Sequence, residues 1–89
     1  MNKQTEKPSF DLEEDVRGGR CPLPMLRAKR ALNQLQSNQI VRVISTDPNS
    51  HDDFVLMLKH VEHELVFFEE LPCQVEHYDA EYHFYIRKG

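Results

Sequence analysis

Cysteine is scarce in this chain, with only Cys21 and Cys73 among 89 residues, too few for the disulfide framework of a small secreted domain. Long apolar runs are missing as well. None approaches the ~20 residues needed to cross a bilayer, and the N-terminus carries no segment shaped like a signal peptide. The compartment expected is therefore the cytosol. Surplus positive charge is absent too: fifteen acidic residues against eleven basic ones leave a net charge of −4, which argues against a general nucleic-acid binder. There are no internal repeats and no low-complexity segments. What remains, 39% hydrophobic and 29% charged, suits one soluble globular domain with no room for a second core. Residues 1–9, MNKQTEKPS, read as a loose polar tail, and 10–89 as the domain.

The charge is unevenly spread. Five of the eleven basic residues, Arg17, Arg20, Arg27, Lys29 and Arg30, fall within fourteen positions around Cys21, while the acidic residues lie mostly elsewhere. Phe10, Leu12 and Val16 recur at even spacing and predict a strand interrupted by Glu14. From Pro22 to about Gln36 the period becomes helical, with Met25, Ala28, Ala31, Leu32 and Leu35 on one face and Arg27, Arg30 and Gln34 opposite. Leu26 falls on the polar side, an apolar residue pointing outward one turn from the cysteine. QIVRVIST (39–46) predicts a β-branched strand buried on both faces. Asp47-Pro48 follows as a helix N-cap with proline at the first helical position, and Ser50-x-x-Asp53 offers a competing start. The second helix would bury Phe54, Met57, Leu58 and Val61. LVFFEEL (65–71) and EYHFYIRK (81–88) read as strands, the latter alternating Tyr82, Phe84 and Ile86 against His83, Tyr85 and Arg87. The connection 72–80 has no clear pattern, although QVEHY could extend a strand. The order is β-α-β-α-β-β, and right-handed crossovers would stack both helices on a small mixed sheet.

The chemistry concentrates in GGRCPLPML (18–26). The first N–H groups of a helix lack intrahelical acceptors, so Pro22 and Pro24 can occupy the first turn at no cost and stiffen it. Cys21 then falls at or near the N-cap, where free N–H groups and the positive end of the helix dipole favour an anion. Arg17 and Arg20 add positive potential, and Gly18-Gly19 clears bulk around the sulfur. These features predict a surface thiolate or persulfide anion. His51 is the nearest histidine in sequence, and nothing in the spacing requires it to act as a base. Sulfur exchange, which needs thiolates alone, therefore fits better than acyl transfer.

The run Val16 to Pro24, VRGGRCPLP, resembles the signature of the TusA/SirA-like sulfur carrier family, in which Cys-Pro-x-Pro opens the first helix. The likeness continues in Thr46-Asp47-Pro48, in Glu62-His63-Glu64-Leu65 and in Ile86-Arg87-Lys88-Gly89. It implies an α/β two-layer sandwich (α+β), with two helices packed on one face of a mixed four-stranded sheet. It implies that Cys21 carries sulfane sulfur as a persulfide, received from a cysteine desulfurase or a rhodanese-like donor and passed to the thiol of a downstream relay protein. In the best-known branch the relay ends in tRNA 2-thiolation. There the position between the two prolines is typically glutamate, where this chain has Leu23. Such a protein is a carrier rather than a turnover enzyme, works without a cofactor and is expected to be a monomer. Asp47 matches the family's acidic residue at the start of the second helix. The connection between the last two strands is longer than in the compact family form.

Other groups carry competing readings. Cys73 could resolve a Cys21 persulfide or disulfide, which would make the protein a redox sensor. His60 and His63, at i, i+3, could bind a metal given a third ligand, but they lie on the polar face and solvation is expected, so no metal site is predicted. Leu26 with Arg27, Lys29 and Arg30 suits a transient docking surface, an apolar anchor with a polar rim. The alternative to a carrier is a non-catalytic regulatory or RNA/protein-binding module of the same fold. The net charge and the lack of a basic stripe count against direct nucleic-acid binding.

Overall fold

The computed structural model describes residues 7–73 and 77–89. Its elements follow as β1 (Leu12–Val16), α1 (Leu23–Gln34), β2 (Ile40–Ser45), α2 (Ser50–Leu58), β3 (Glu64–Pro72) and β4 (Ala80–Arg87). The strands form one sheet in the order β1-β2-β4-β3. β1 runs parallel to β2, and both remaining pairs are antiparallel. A parallel pair needs a long crossover, and α1 supplies it. Both helices lie over one face of the mixed sheet, the two-layer arrangement expected from the sequence. No helix of the described residues is long and apolar enough to cross a membrane.

The core is built where the patterns placed it. α1 buries Pro24, Ala28, Ala31 and Leu32, with Leu35 closing the face just beyond the helix. Small alanines there let α1 sit close to Val41 and Val43 of β2, both fully buried. α2 contributes Phe54, whose ring lies 4.6 Å from that of Phe84, and Phe68 packs on Phe84 at 5.1 Å. Phe54 and Phe84, both fully buried, each stabilise the fold by roughly 1.5–3 kcal/mol through burial alone.

α2 is shorter than the sequence suggested. It ends at Leu58, so Val61 lies beyond it and is 44% exposed rather than part of the buried face. The pair His60 and His63 is likewise not on a helix edge, and His63 Nδ1 accepts the Gly89 N–H at 3.1 Å. β1 begins at Leu12, leaving the exposed Phe10 outside it. Glu14, which seemed to interrupt this strand, faces α1 and pairs with Arg27 at 2.7 Å.

The second face of the sheet is also covered. β4 lies between β2 and β3, and its alternate residues His83 and Tyr85 are 4% and 1% exposed. Phe10 and Phe67 meet Tyr85 edge-on at 6.2 and 5.5 Å, and the Arg42 guanidinium lies 5.1 Å from the centre of the Phe10 ring. Lys7 Nζ is 2.7 Å from Glu69 Oε2 on β3. The tail expected over 1–9 lies outside the described residues for positions 1–6, as does most of QVEHY, 74–76.

Candidate functional site

One end of the sheet gathers the loops that matter. Val16 pairs with Ser45, Ser45 with Tyr82, and Pro72 with Ala80, so β1, β2 and β3 finish at the end where β4 begins. After β1 the chain turns at Gly18 with φ +88°, a conformation that glycine adopts freely. The Gly18 N–H donates to Thr46 Oγ1 at 2.9 Å, tying this turn to the loop after β2. A Cβ on Gly19 would come within 3.2 Å of the Val16 carbonyl oxygen and closer still to Leu23, so the chain passes tightly here.

Cys21 emerges from that turn exposed, one residue ahead of the Pro22 N-cap of α1. The peptide between them is cis. Pro22 and Pro24 occupy the helix start as expected, with Pro24 buried. The Cys21 N–H donates to Asp47 Oδ2 at 2.9 Å. Asp47 is not the N-cap of α2. That position is Asn49, which makes no side-chain cap bond, and Pro48 precedes the helix rather than opening it. The other oxygen of Asp47 accepts the Asn49 N–H at 3.0 Å, so one carboxylate links the α2 approach to the cysteine turn. Nor is the alternative start at Ser50 made as a capping box: the Ser50 hydroxyl is buried against Ser45 Oγ at 2.6 Å. Asp53 stands in the first turn of α2 and is among the groups that act on the Cys21 thiol.

The electrostatics reverse the expectation of a thiolate. The hydrogen bond to Asp53 pushes the Cys21 thiol above its ordinary range, and partial desolvation and the charges of Asp53 and Asp47 act the same way. A helix N-terminus presents about half a positive charge, and the charges of Asp53 and Asp47 act against it. Two of the arginines near the cysteine are drawn into ion pairs elsewhere. Arg17 donates to Asp15 Oδ2 at 2.6 Å and to Glu81 Oε1 at 3.3 Å, which holds its guanidinium protonated far into the alkaline range. Arg27 is taken by Glu14. Arg20 is exposed and lines a cavity of ≈ 190 Å³ with Gly18, Gly19, Thr46, Pro48 and Tyr78.

The expected docking residues separate. Leu26 is 56% exposed and Leu23 40%, an apolar pair beside Cys21. Arg30 is exposed, whereas Arg27 is half-buried in its ion pair. Lys29 faces another cavity of ≈ 210 Å³ between the helices, with Leu32, Met57 and His63. His51 packs its ring on Phe68 at 4.6 Å and is not among the groups acting on the Cys21 thiol. Cys73 lies at the same end of the sheet, half-buried after β3, and neither cysteine is in a disulfide. Among the described residues no group of three His, Cys, Asp or Glu side chains could hold a metal ion.

Two residues of this site were invisible as such in the sequence. Asp53 could be seen only as a possible helix start, because its approach to Cys21 depends on how the start of α2 lies against the start of α1. Tyr78 lies in the unpatterned connection, yet its hydroxyl is 3.7 Å from where a Gly18 Cβ would stand.

Known proteins share this frame. A family model described as Sulfurtransferase TusA matches residues 13–88. The Sulfur carrier protein TusA of Allochromatium vinosum is 42% identical over 80 residues, 90% of this chain and 96% of that protein. A putative sulfur carrier protein of Bacillus subtilis is 38% identical over 52 residues, 58% of this chain and 69% of that protein. The crystal structure of a SirA-like protein from Desulfitobacterium hafniense shares the fold, with a TM-score of 0.64 at 21% identity, covering 89% of this chain and all of that one. With a family model running from the first strand into the last, and a relative alike over nearly its whole length, the chain belongs to the TusA family of sulfur carriers.

Proposed function

We propose that this sulfur carrier holds its cargo as a persulfide on Cys21. One observation carries the reading: the Cys21 thiol stands exposed at the loop end of the sheet, its backbone pinned by Asp47 and its surroundings open on the side of Leu23 and Leu26. Moving a sulfane sulfur between thiols needs a sulfur nucleophile that two proteins can reach in turn, and no further catalytic group. A carrier meets a donor and an acceptor. The donor is a cysteine desulfurase or a rhodanese-like protein, and the acceptor is the thiol of a relay protein, both in the cytoplasm. Leu26 and Arg30 offer the contact, and Arg20 and Asp47 support the cysteine turn. Pro22 and Pro24 hold it stiff. Leu23, standing where the tRNA-thiolation branch has a carboxylate, favours an acceptor with an apolar contact over that branch's partner. The carrier works as a monomer and reaches nucleic acid only through its acceptors.

The test is intact-mass measurement after incubation with a cysteine desulfurase, cysteine and pyridoxal phosphate. One added sulfur, mapped to the Cys21 peptide and lost with dithiothreitol, is the expected result, and Cys21→Ser should take none. Sulfur still accepted by the folded Cys21→Ser protein would end this reading.

A further inference from the structure

Beside the cysteine turn lies the cavity of ≈ 190 Å³ that docking between two proteins does not call for. A missing side chain helps to open it: a Cβ on Gly18 would stand 3.7 Å from the Tyr78 hydroxyl. Its polar groups are of both signs. Arg20 lines it, and the guanidinium has no hydrogen bond or ion pair among the described residues. Asp47 lines it too. Each of its carboxylate oxygens holds one backbone N–H, from Cys21 at 2.9 Å and from Asn49 at 3.0 Å, and keeps lone pairs to spare. Thr46 is 6% exposed; its Oγ1 accepts the Gly18 N–H at 2.9 Å, and its own proton has no acceptor among the described residues. A simple anion would meet Asp47, and a simple cation would meet Arg20. A small zwitterion satisfies both, its carboxylate on the guanidinium fork and its ammonium on the Asp47 carboxylate. An α-amino acid is such a molecule.

Taking Cys21 as the sulfur-bearing residue, we infer that this cavity seats a free α-amino-acid persulfide of the cysteine type, carboxylate on Arg20 and ammonium on Asp47, and that Cys21 takes sulfur from it without a donor protein. Covalent geometry allows the transfer. Sγ is three bonds from the Cys21 nitrogen, which stands 2.9 Å from Asp47 Oδ2, so the sulfur lies within about 7 Å of that carboxylate. An ammonium bound there carries its outer sulfur four bonds away, about 4–5 Å, which closes the gap to a reacting distance. The step balances without an oxidant. The Cys21 thiol gives its proton to water, and its electron pair forms the bond from Sγ to the outer sulfur. The S–S bond of the small persulfide breaks, its pair leaving on the inner sulfur, which takes a proton from water. The free amino acid then departs as a thiol and leaves the cavity open.

Loading of Cys21 is followed by mass with three free persulfides: that of cysteine, that of cysteamine, which lacks the carboxylate, and that of N-acetylcysteine, which lacks the ammonium. Each rate is divided by the rate of the same persulfide with glutathione, which removes differences in intrinsic reactivity. Native protein should load from cysteine persulfide with a rate that saturates, and about tenfold faster than from the other two. Arg20→Gln should erase the advantage over the cysteamine compound. Asp47→Asn, which keeps an oxygen for the Cys21 N–H, should erase the advantage over the N-acetyl compound. Binding apart from reaction is read by NMR on Cys21→Ser protein with S-methylcysteine, which has no sulfur to give. Amide shifts should gather at Gly18, Gly19, Arg20, Thr46 and Asp47, and shrink when Arg20→Gln is added. Equal corrected rates from the three persulfides, or no shifts at the cavity, would refute the seat. Advantages that survive in both variants would refute the two contacts assigned to it. Loading by a cysteine desulfurase but by no free persulfide overturns this inference and leaves the carrier reading standing, whereas no sulfur on Cys21 from any donor fails the carrier reading itself.

Discussion

Phe54→Ala tests whether α2 is held by a single anchor. Phe54 is the one large apolar residue that this nine-residue helix buries completely, whereas Val55 and Leu56 are 38% and 58% exposed. Its ring lies against Phe84 at 4.6 Å, inside the cluster formed with Ala28, Leu32 and Val43. Truncating a buried phenylalanine removes the transfer energy of the ring and leaves a cavity, together costing about 3–5 kcal/mol. A domain of this size has ~5–10 kcal/mol in all, so the variant should be barely folded at 25 °C. Its melting midpoint should fall by roughly 15–30 °C. Leu56→Ala, two residues on and facing solvent, should change stability by no more than ~0.5 kcal/mol. Urea denaturation followed by circular dichroism measures both. A loss below ~1.5 kcal/mol for Phe54→Ala, with an unchanged denaturant slope, would refute the single-anchor account, because the transfer energy of the ring alone exceeds that.

Three further outcomes are expected. Asp47→Ala removes the acceptor of the Cys21 and Asn49 N–H groups, and should lower stability by only ~1 kcal/mol because both sites are near solvent, while slowing desulfurase loading; a native loading rate would count against it. Gly18→Ala forces a side chain into φ +88° and should cost ~1–2 kcal/mol by urea denaturation, and equal stability would contradict the strained turn. Asp15 is held below the usual carboxylate range by its bonds to Arg17, and Glu81, though burial opposes it, is held low by His83 and Arg17. A carboxyl whose folded value is depressed stabilises the protein fully above its unfolded value, so the urea midpoint should be flat near neutral pH and fall as the pH drops below ~4. Arg17→Met should flatten that acid arm, and an unchanged arm would show that the loss lies elsewhere.

The order of elements was legible because each carries its own period: the 3.6-residue spacing of Ala28, Ala31, Leu32 and Leu35, and the β-branched run of Ile40, Val41, Val43 and Ile44. The cysteine turn was legible because glycine and proline limit the backbone so narrowly. Charge was not. The basic cluster around Cys21 looked like a positive field, but parallel pairing of β1 with β2 turns Glu14 toward α1, where it meets Arg27, and the turn after β1 brings Arg17 to Asp15 and Glu81. Which side of the cysteine Asp53 would reach depends on the packing of α2 against α1, which no local pattern encodes. Alternation along β4 left open what covers the second sheet face, and its central place puts Tyr85 under Phe10 and Phe67.

A protein that greets several others in succession must control where it can be touched. The four-stranded sheet has two open margins, β1 and β3, each with backbone groups that could recruit a foreign strand. β1 is only five residues long, and its three carboxylates, Glu13, Glu14 and Asp15, are held in ion pairs with Arg42, Arg27 and Arg17. β3 breaks its own register between Leu65 and Phe67, carries Glu69 and Glu70, and ends in a proline with no N–H to give. Both margins thus discourage strand addition, which on the proposed reading leaves the loop end for a brief handshake that can end without the two proteins zipping together.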